Sequence, residues 1–146
     1  MDIDSVNSSI DKIHEAMQEH LYDGSHNLVL HLGTNQAASS IELEKQAVNL
    51  NYFSIPDEQG NQPKNEAIDK GQEKTHTHQC RIDVDKVVDT LRGLQHNCKK
   101  STDAGNYICN YTYYTSMKEL EYVDNCHSIF IHVPSFMTIK KDNQIA

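Results

Sequence analysis

The spacing of hydrophobic positions along the chain predicts two clear helices. Near the N-terminus, apolar residues recur at steps of three and four between polar and charged ones, as in an amphipathic helix: Val6, Ile10, Ile13, Met17 and Leu21. We expect Asp4 or Ser5 to cap this helix. A second stripe follows Asp83, which we expect to act as its N-cap, and comprises Val84, Val87, Val88, Leu91 and Leu94.

Continuous apolar runs predict two strands. Leu28 to Leu32 is typical of a buried strand in a parallel sheet, and we expect Gly33 to end it. Ser128 to Val133 is a second such run, and Pro134 stops it. His132 therefore lies at the carboxyl end of the second strand.

Between these runs, an alternating segment predicts a further strand. Ile41 and Leu43 alternate with Glu42 and Glu44, so both carboxylates lie on one face. The polar stretch from Ile55 to about Lys74 contains Pro and Gly and predicts a long surface loop.

The last helical pattern is weaker, and it runs from Asn106 to Leu120 with Cys109 in its first turn. Helices and strands then follow one another in the order expected of an open α/β sheet, whose sites form beyond the carboxyl ends of its strands. The length of 146 residues predicts a single domain that comprises residues 1–146.

Charge and composition exclude several classes of function. The chain is 37% hydrophobic and 23% charged, which is typical of a folded globular protein. Its net charge of -8, with no dense basic cluster, argues against a nucleic-acid partner. No apolar run approaches the ~20 residues that span a bilayer, so we expect no membrane partner. The N-terminus lacks the pattern of a signal peptide, so we expect a cytosolic protein with reduced cysteines.

Three side chains form the candidate chemistry. A thiol in the first turn of a helix meets free N–H groups and the positive end of the helix dipole, which favours the thiolate of Cys109. His132, at a strand end, is suited to act as base and acid, and Glu44 is available to orient its ring. The common alternative is structural, since a lone Cys usually packs in a core and a lone His usually forms a hydrogen bond.

The residues around these positions resemble a known family. The segment from Asp103 to Ser116 (DAGNYICNYTYYTS) is similar to the nucleophile motif of pyroglutamyl-peptidase I, and Ile129 to Pro134 (IFIHVP) is similar to its histidine motif. Ile41 to Asn49 (IELEKQAVN) resembles the stretch that holds the catalytic Glu. The three motifs occur in the family's order, within a motif-bearing region of residues 28–134.

This resemblance implies an α/β/α sandwich with an open, mostly parallel, twisted sheet, and no metal or organic cofactor. It implies a cysteine exopeptidase that hydrolyses the bond after an N-terminal pyroglutamate (5-oxoproline). Its substrates would be peptides with that blocked N-terminus. The resemblance makes Cys109 the nucleophile, His132 the base and Glu44 the third member of the triad. It also assigns three residues to the pocket for the pyroglutamyl ring: Ile55, Tyr107 and Ile108.

The sequence departs from the family pattern at three places. Nothing matches the family's N-terminal strand and Gly-Phe-Gly-Pro-Phe type loop, and no C-terminal helix pattern follows the histidine motif. We therefore expect exposed apolar surface, covered by self-association or by a partner protein. Glu42 replaces the usual Thr or Ser, and we expect this like charge to raise the pKa of one carboxylate.

Two alternative hypotheses follow from the sequence. The first is a truncated, catalytically inactive family member that acts as a binding or regulatory protein. The second is a zinc site, because His76, His78 and Cys80 share one face if that segment is extended. A polar loop that happens to be rich in histidine explains the same residues.

Overall fold

A computed structural model of the chain describes residues 1–19 and 24–138, so that Leu21 of the first predicted helix lies outside it. Within these ranges there are three helices: α1 (Ile3–Glu19), α2 (Val84–Gly93) and α3 (Ile108–Glu119). The strands are β1 (Asn27–Asn35), β2 (Ile41–Glu44), β3 (Gln46–Val48), β4 (Asn51–Tyr52), β5 (Lys64–Glu66), β6 (Thr77–Gln79), β7 (Cys98–Ser101) and β8 (Cys126–Pro134). None of the helices in the described ranges has the length and apolarity needed to cross a bilayer.

Four strands form the central sheet, in the order β1-β8-β2-β7. β1 runs parallel to β8 and β2 parallel to β7, whereas β2 and β8 are antiparallel. The remaining strands form two short antiparallel ladders, β3 with β6 and β4 with β5. The sheet is open, mixed and mostly parallel, which confirms the predicted fold class.

The side chains of β8 alternate between two helical layers. Phe130 packs on Tyr113 of α3, with 5.9 Å between ring centroids, and α1 packs against α3 on this side. Ile129, on the other face, belongs to a cluster that α2 completes with Val84 and Val88. Helices therefore cover both faces, as the α/β/α arrangement requires.

The caps of the helices are partly as expected. Asp83 caps α2, since its side chain accepts a backbone N–H of the first turn at 3.1 Å. The expected cap of α1 is wrong, because Asp2 accepts the backbone N–H and the hydroxyl of Ser5, each at 2.8 Å. Ile3 extends the apolar stripe one turn earlier than Val6, and this moves the cap from Asp4 or Ser5 to Asp2.

β1 is an edge strand of the sheet, and one of its faces is uncovered. Three leucines alternate on that face, and they are 58%, 51% and 66% exposed: Leu28, Leu30 and Leu32. Their register with β8 puts them on the side of α2, but α2 packs over β2 and β7. The expected burial of these leucines is therefore wrong, since no helix of the described residues lies over them. The strand also continues past Gly33 to Asn35.

At the opposite edge of the sheet lies β7, which the hydrophobic pattern does not predict. Cys98 is its only buried residue, while Lys99 and Lys100 are exposed. A polar edge strand with lysines protects its free edge from pairing with other chains, and it has no apolar alternation to detect.

Asn49 fixes the end of the polar stretch that the sequence predicts as a long loop and that the structure interrupts with one short strand, β5. This buried side chain accepts the backbone N–H of Asp69 at 2.7 Å. Its amide donates to the carbonyls of Asp69, Gln72 and Glu73 at 2.9, 3.2 and 3.1 Å. One side chain thus satisfies four backbone groups of the loop.

Arg81 joins the end of α3 to the start of β8. Its guanidinium donates to the carbonyl oxygens of Leu120 and Val123, at 2.9 and 3.3 Å, and to that of Cys126. The connection between the two elements is thereby closed by one side chain.

Replacing Asn49 with Ala should lower the free energy of unfolding by about 2–4 kcal/mol, because several buried backbone groups lose their partner. Urea denaturation measures this. The control is Asn106→Ala, at an exposed position without a described side-chain hydrogen bond, which should change stability by less than about 0.5 kcal/mol. Equal stability of the two variants would contradict the role of Asn49.

Candidate active site

Three side chains from three elements meet where β8 ends. Nδ1 of His132 on β8 lies 2.8 Å from Oε1 of Glu44, the last residue of β2. The Cys109 thiol, in the first turn of α3, lies close enough to the same imidazole to raise its pKa. The structure thus brings the three predicted triad residues together, and their catalytic role remains a prediction.

The start of α3 positions Cys109. Tyr107 is the N-cap in extended conformation, so Cys109 is the second residue of the helix, where backbone N–H groups have no partner within the helix. The next residue, Asn110, is fully buried and accepts the N–H of Val48 at 3.0 Å. Its amide donates to the carbonyls of Val48 and Leu50 at 2.8 and 3.1 Å. Asn110 therefore fixes the helix start against β3 and the turn that follows it.

Gly33 of β1 lies directly against the thiol. A Cβ atom at this position would come within 2.7 Å of the Phe130 ring and 3.2 Å of the Cys109 sulfur. Only glycine permits this close approach of the strand to the Cys109 thiol. Sequence reasoning missed this role, and the available signal was a Gly directly after an apolar run.

The Glu44 carboxylate is fully buried, and it has one side-chain partner among the described residues. Oε1 contacts His132, whereas Oε2 has no hydrogen-bond partner there. The backbone carbonyl of Glu44 accepts the hydroxyl of Tyr113 at 2.9 Å, which fixes the strand end. A buried carboxylate of this kind depends on a cationic neighbour.

His132 is the cationic neighbour of the buried Glu44 carboxylate. Burial lowers the pKa of His132, but the hydrogen bonds and charges of Cys109 and Glu44 outweigh it and raise the pKa to about 9. The imidazole is therefore protonated at neutral pH, and it loses this proton as the pH rises through about 9. A protonated imidazole beside a thiol stabilises the thiolate.

Glu42 is a second carboxylate on the same face of β2. Its two oxygens lie 2.9 Å from Nζ of Lys99 and 3.0 Å from the amide nitrogen of Asn35. Burial raises the pKa of Glu42, but the hydrogen bonds to Lys99 and Asn35 outweigh it, so the pKa is lowered. The expected rise is therefore wrong for Glu42, because a cation partners the like charge.

Oxygen and nitrogen atoms of Glu42, Glu44 and His132 lie within 4.8 Å of one another. Hydrogen bonds among these residues and to Lys99 and Asn35 already engage both oxygens of Glu42, Oε1 of Glu44 and Nδ1 of His132, whereas Oε2 of Glu44 has no partner among the described residues. The chemistry of the group is that of a hydrogen-bonded charge cluster rather than of a metal centre.

The residues of the zinc hypothesis lie elsewhere. His76 and His78 flank Thr77 of the extended β6, their rings 4.9 Å apart, and they line a cavity of about 540 Å³. The Cys80 thiol instead donates to the carbonyl of Ser128 at 3.3 Å. Within the described ranges, these three side chains do not bring three donor atoms within 4.8 Å of one another. The geometry gives the zinc hypothesis no support.

The three predicted pocket residues differ in their surroundings. Ile55 is 62% exposed, and the Tyr107 hydroxyl donates to the carbonyl of Pro56 at 3.2 Å. The Tyr107 ring also meets Phe53 edge-on, with 4.5 Å between centroids. Ile108 is only 8% exposed and packs with Phe53 against α1. Ile55 and Tyr107 are thus near each other at the surface, while Ile108 lies beneath, and their binding role stays a prediction.

Comparison with known proteins gives one consistent family. The family model described as "Pyroglutamyl peptidase" matches residues 2–145. The chain is 28% identical to the pyrrolidone-carboxylate peptidase of Bacillus velezensis over 127 residues, which cover 86% of this chain and 56% of that protein. It is 33% identical to pyroglutamyl-peptidase 1 of Homo sapiens over 109 residues, which cover 73% and 49%. The chain thus spans about half the length of the curated relatives it matches.

Solved structures agree with the sequence comparisons. The crystal structure of Bacillus amyloliquefaciens pyroglutamyl peptidase I superposes with a TM-score of 0.75 at 27% identity, and covers 93% of this chain and 68% of that one. Pyrrolidone carboxyl peptidase from Thermus thermophilus gives a TM-score of 0.69 at 27% identity, over 92% and 68%.

His132→Asn should slow the alkylation of Cys109 by iodoacetamide at pH 6 by at least about tenfold. The reason is that the variant lacks the imidazolium that stabilises the thiolate. Timed quenching and peptide mass spectrometry measure the rate, with Cys80 in the same sample as internal control. Equal rates at Cys109 in both proteins would contradict a thiolate–imidazolium pair.

Proposed function

The chain belongs to the pyroglutamyl peptidase family, and we propose that it is a cysteine exopeptidase that hydrolyses the bond after an N-terminal pyroglutamate. One observation carries this proposal, namely the grouping of Cys109, His132 and Glu44 at the end of β8, where His132 forms a hydrogen bond with Glu44 and interacts with the thiol. A thiolate beside an imidazolium, oriented by a carboxylate, is the arrangement that acyl transfer through a thioester requires.

In the proposed reaction, the Cys109 thiolate attacks the carbonyl carbon of the pyroglutamyl residue and forms a tetrahedral intermediate. Free N–H groups at the start of α3, including that of Cys109, stabilise its oxyanion. The His132 imidazolium gives its proton to the leaving amine as the C–N bond breaks.

Deacylation follows from the same groups. Neutral His132 takes a proton from water, and the resulting hydroxide attacks the thioester. The C–S bond then breaks, which releases pyroglutamate and regenerates the thiolate with the imidazolium. Glu44 holds Nδ1 in both steps, so the other ring nitrogen stays directed at Cys109.

We assign recognition of the pyroglutamyl ring to apolar surface next to the nucleophile. Tyr107 and Ile55 offer exposed or half-buried side chains there, and Ile108 supports Tyr107 from beneath through Phe53. A blocked N-terminus carries no charge, so an apolar surface with few polar groups suits it.

A reducing compartment suits this chemistry. All four cysteines are free thiols: Cys80, Cys98, Cys109 and Cys126. We therefore propose the cytosol as the place of action, where the nucleophile stays reduced.

The purified chain should release a fluorescent amine from a pyroglutamyl amide but not from the matching proline amide. Cys109→Ala should abolish this turnover, and Glu44→Gln should lower kcat by at least about tenfold, because the imidazolium loses its buried partner. Glu15→Gln, an exposed carboxylate on α1, is the matched control and should keep full activity. If folded wild-type protein releases no amine, the alternative of an inactive binding or regulatory protein stands instead.

We also propose that the uncovered face of β1 leads to self-association. The alternating leucines of this face are apolar and exposed beside an edge of β1 that pairs with no strand of residues 1–19 and 24–138, a combination that favours pairing between copies.

Light scattering during size-exclusion chromatography should show a mass that rises with protein concentration. Leu30→Lys should shift the protein toward the monomer, since it places a charge in the middle of the apolar face. The matched control is Leu94→Lys, at an exposed leucine just after α2, which should leave the mass unchanged. A wild-type chain that is monomeric at all concentrations would exclude the proposed contact.

A further inference from the structure

We propose that Glu42 is a positioning residue for His132, a second carboxylate that holds the imidazole protonated and aligned. The catalytic meaning of this inference rests on the proposed peptidase function. Its test does not, because the protonation of His132 is measured without substrate.

The register of the sheet places Glu42 opposite His132. In the antiparallel pair of β2 and β8, Glu42 is the direct partner of His132, whereas Glu44 is the partner of Phe130. Directly opposed side chains share one face and approach most closely. The carboxylate that hydrogen-bonds Nδ1 is therefore the diagonal neighbour, and the opposed one has a separate place beside the ring.

Two groups hold the Glu42 carboxylate in that place. Lys99 of β7 binds one oxygen at 2.9 Å, and Asn35 at the end of β1 binds the other at 3.0 Å. Only 8% of Glu42 is exposed. Because the two partners belong to the opposite edge strands β1 and β7, each oxygen is held from a different direction, which restricts rotation of the carboxylate beside the imidazole.

The charges that face His132 come from three elements. β2 contributes the carboxylates of Glu42 and Glu44, and α3 contributes the Cys109 thiol. β7 contributes Lys99, which reaches the site through Glu42. The opposed residue on β1 is a glycine and carries no charge.

Lys99 does not cancel the effect of the Glu42 charge on the protonation of His132. Its side chain is 49% exposed, so water screens the ammonium more than it screens the buried carboxylate. Burial raises the pKa of Glu42, the hydrogen bonds to Lys99 and Asn35 lower it, and the charge of His132 adds a smaller lowering, as expected of two opposite charges in one group. The net result favours the imidazolium.

A merely structural role for Glu42 makes a different prediction. If Glu42 only joined β7 to β1, its removal would change stability but leave the titration of His132 unchanged. If it positions the imidazolium, its removal lowers the pKa of His132. A titration therefore separates the two roles, which a stability measurement does not.

The test is Glu42→Gln, which keeps the shape and an oxygen for Lys99 but removes the charge. Long-range ¹H–¹⁵N NMR of the histidine rings, with the His132 signal assigned from His132→Asn, follows the titration. We expect the pKa of His132 to fall by about one unit, as for loss of an opposite charge within about 4–6 Å.

A second variant should change the pKa of His132 in the opposite direction. Lys99→Met removes the cation while Asn35 still holds Glu42, so the pKa of His132 should rise. Glu15→Gln on α1 should leave it unchanged. An unchanged pKa in Glu42→Gln overturns the inference, and so does a pKa that fails to rise in Lys99→Met.

The outcomes for the inference and for the proposed function are separate. If the wild-type chain shows no turnover of the pyroglutamyl amide but the His132 pKa changes as expected in the two variants, the peptidase is refuted and the role of Glu42 is supported. If the wild-type chain shows turnover but the His132 pKa is unchanged in both variants, the peptidase is supported and the role of Glu42 is overturned.

Discussion

The contact between Glu44 and His132 is the interaction on which the site depends. It joins two antiparallel strands inside the sheet, and the carboxylate has no exposure to water. Removing one partner of a buried pair typically costs about 3–5 kcal/mol, because the other charge remains buried. Protonation of the imidazole therefore adds to the stability of the sheet, and the same proton favours the reactive thiolate form of Cys109. The charge of the protonated His132 thus contributes both to the stability of the sheet and to the reactivity of Cys109.

Much of the site could be predicted because its signals are local in the sequence. Cys109 follows a Gly turn and begins a helix, and His132 precedes the Pro that ends a strand, so each is positioned by its immediate neighbours. The alternation around Glu44 also gives the correct face. Asp83 caps its helix as predicted for the same reason, since a cap is decided within one turn.

The remainder could not be predicted because it depends on contacts between distant segments. The exposure of Leu30 follows from where α2 packs, and periodicity does not report that. β7 has a single buried residue and therefore no pattern. Two further contacts could be predicted only by knowing the order and direction of all four strands. They are the approach of Gly33 to the thiol and the hydrogen bonds that Lys99 and Asn35 form with Glu42.

The burial of Glu44 also determines how the site exchanges protons with its surroundings. With Glu44 sealed and His132 only 6% exposed, a proton enters or leaves through the side where the partly buried Cys109 lies. In the proposed peptidase reaction, the substrate occupies that same side. The rate at which His132 exchanges protons with water therefore depends on whether the space beside Cys109 is open or occupied.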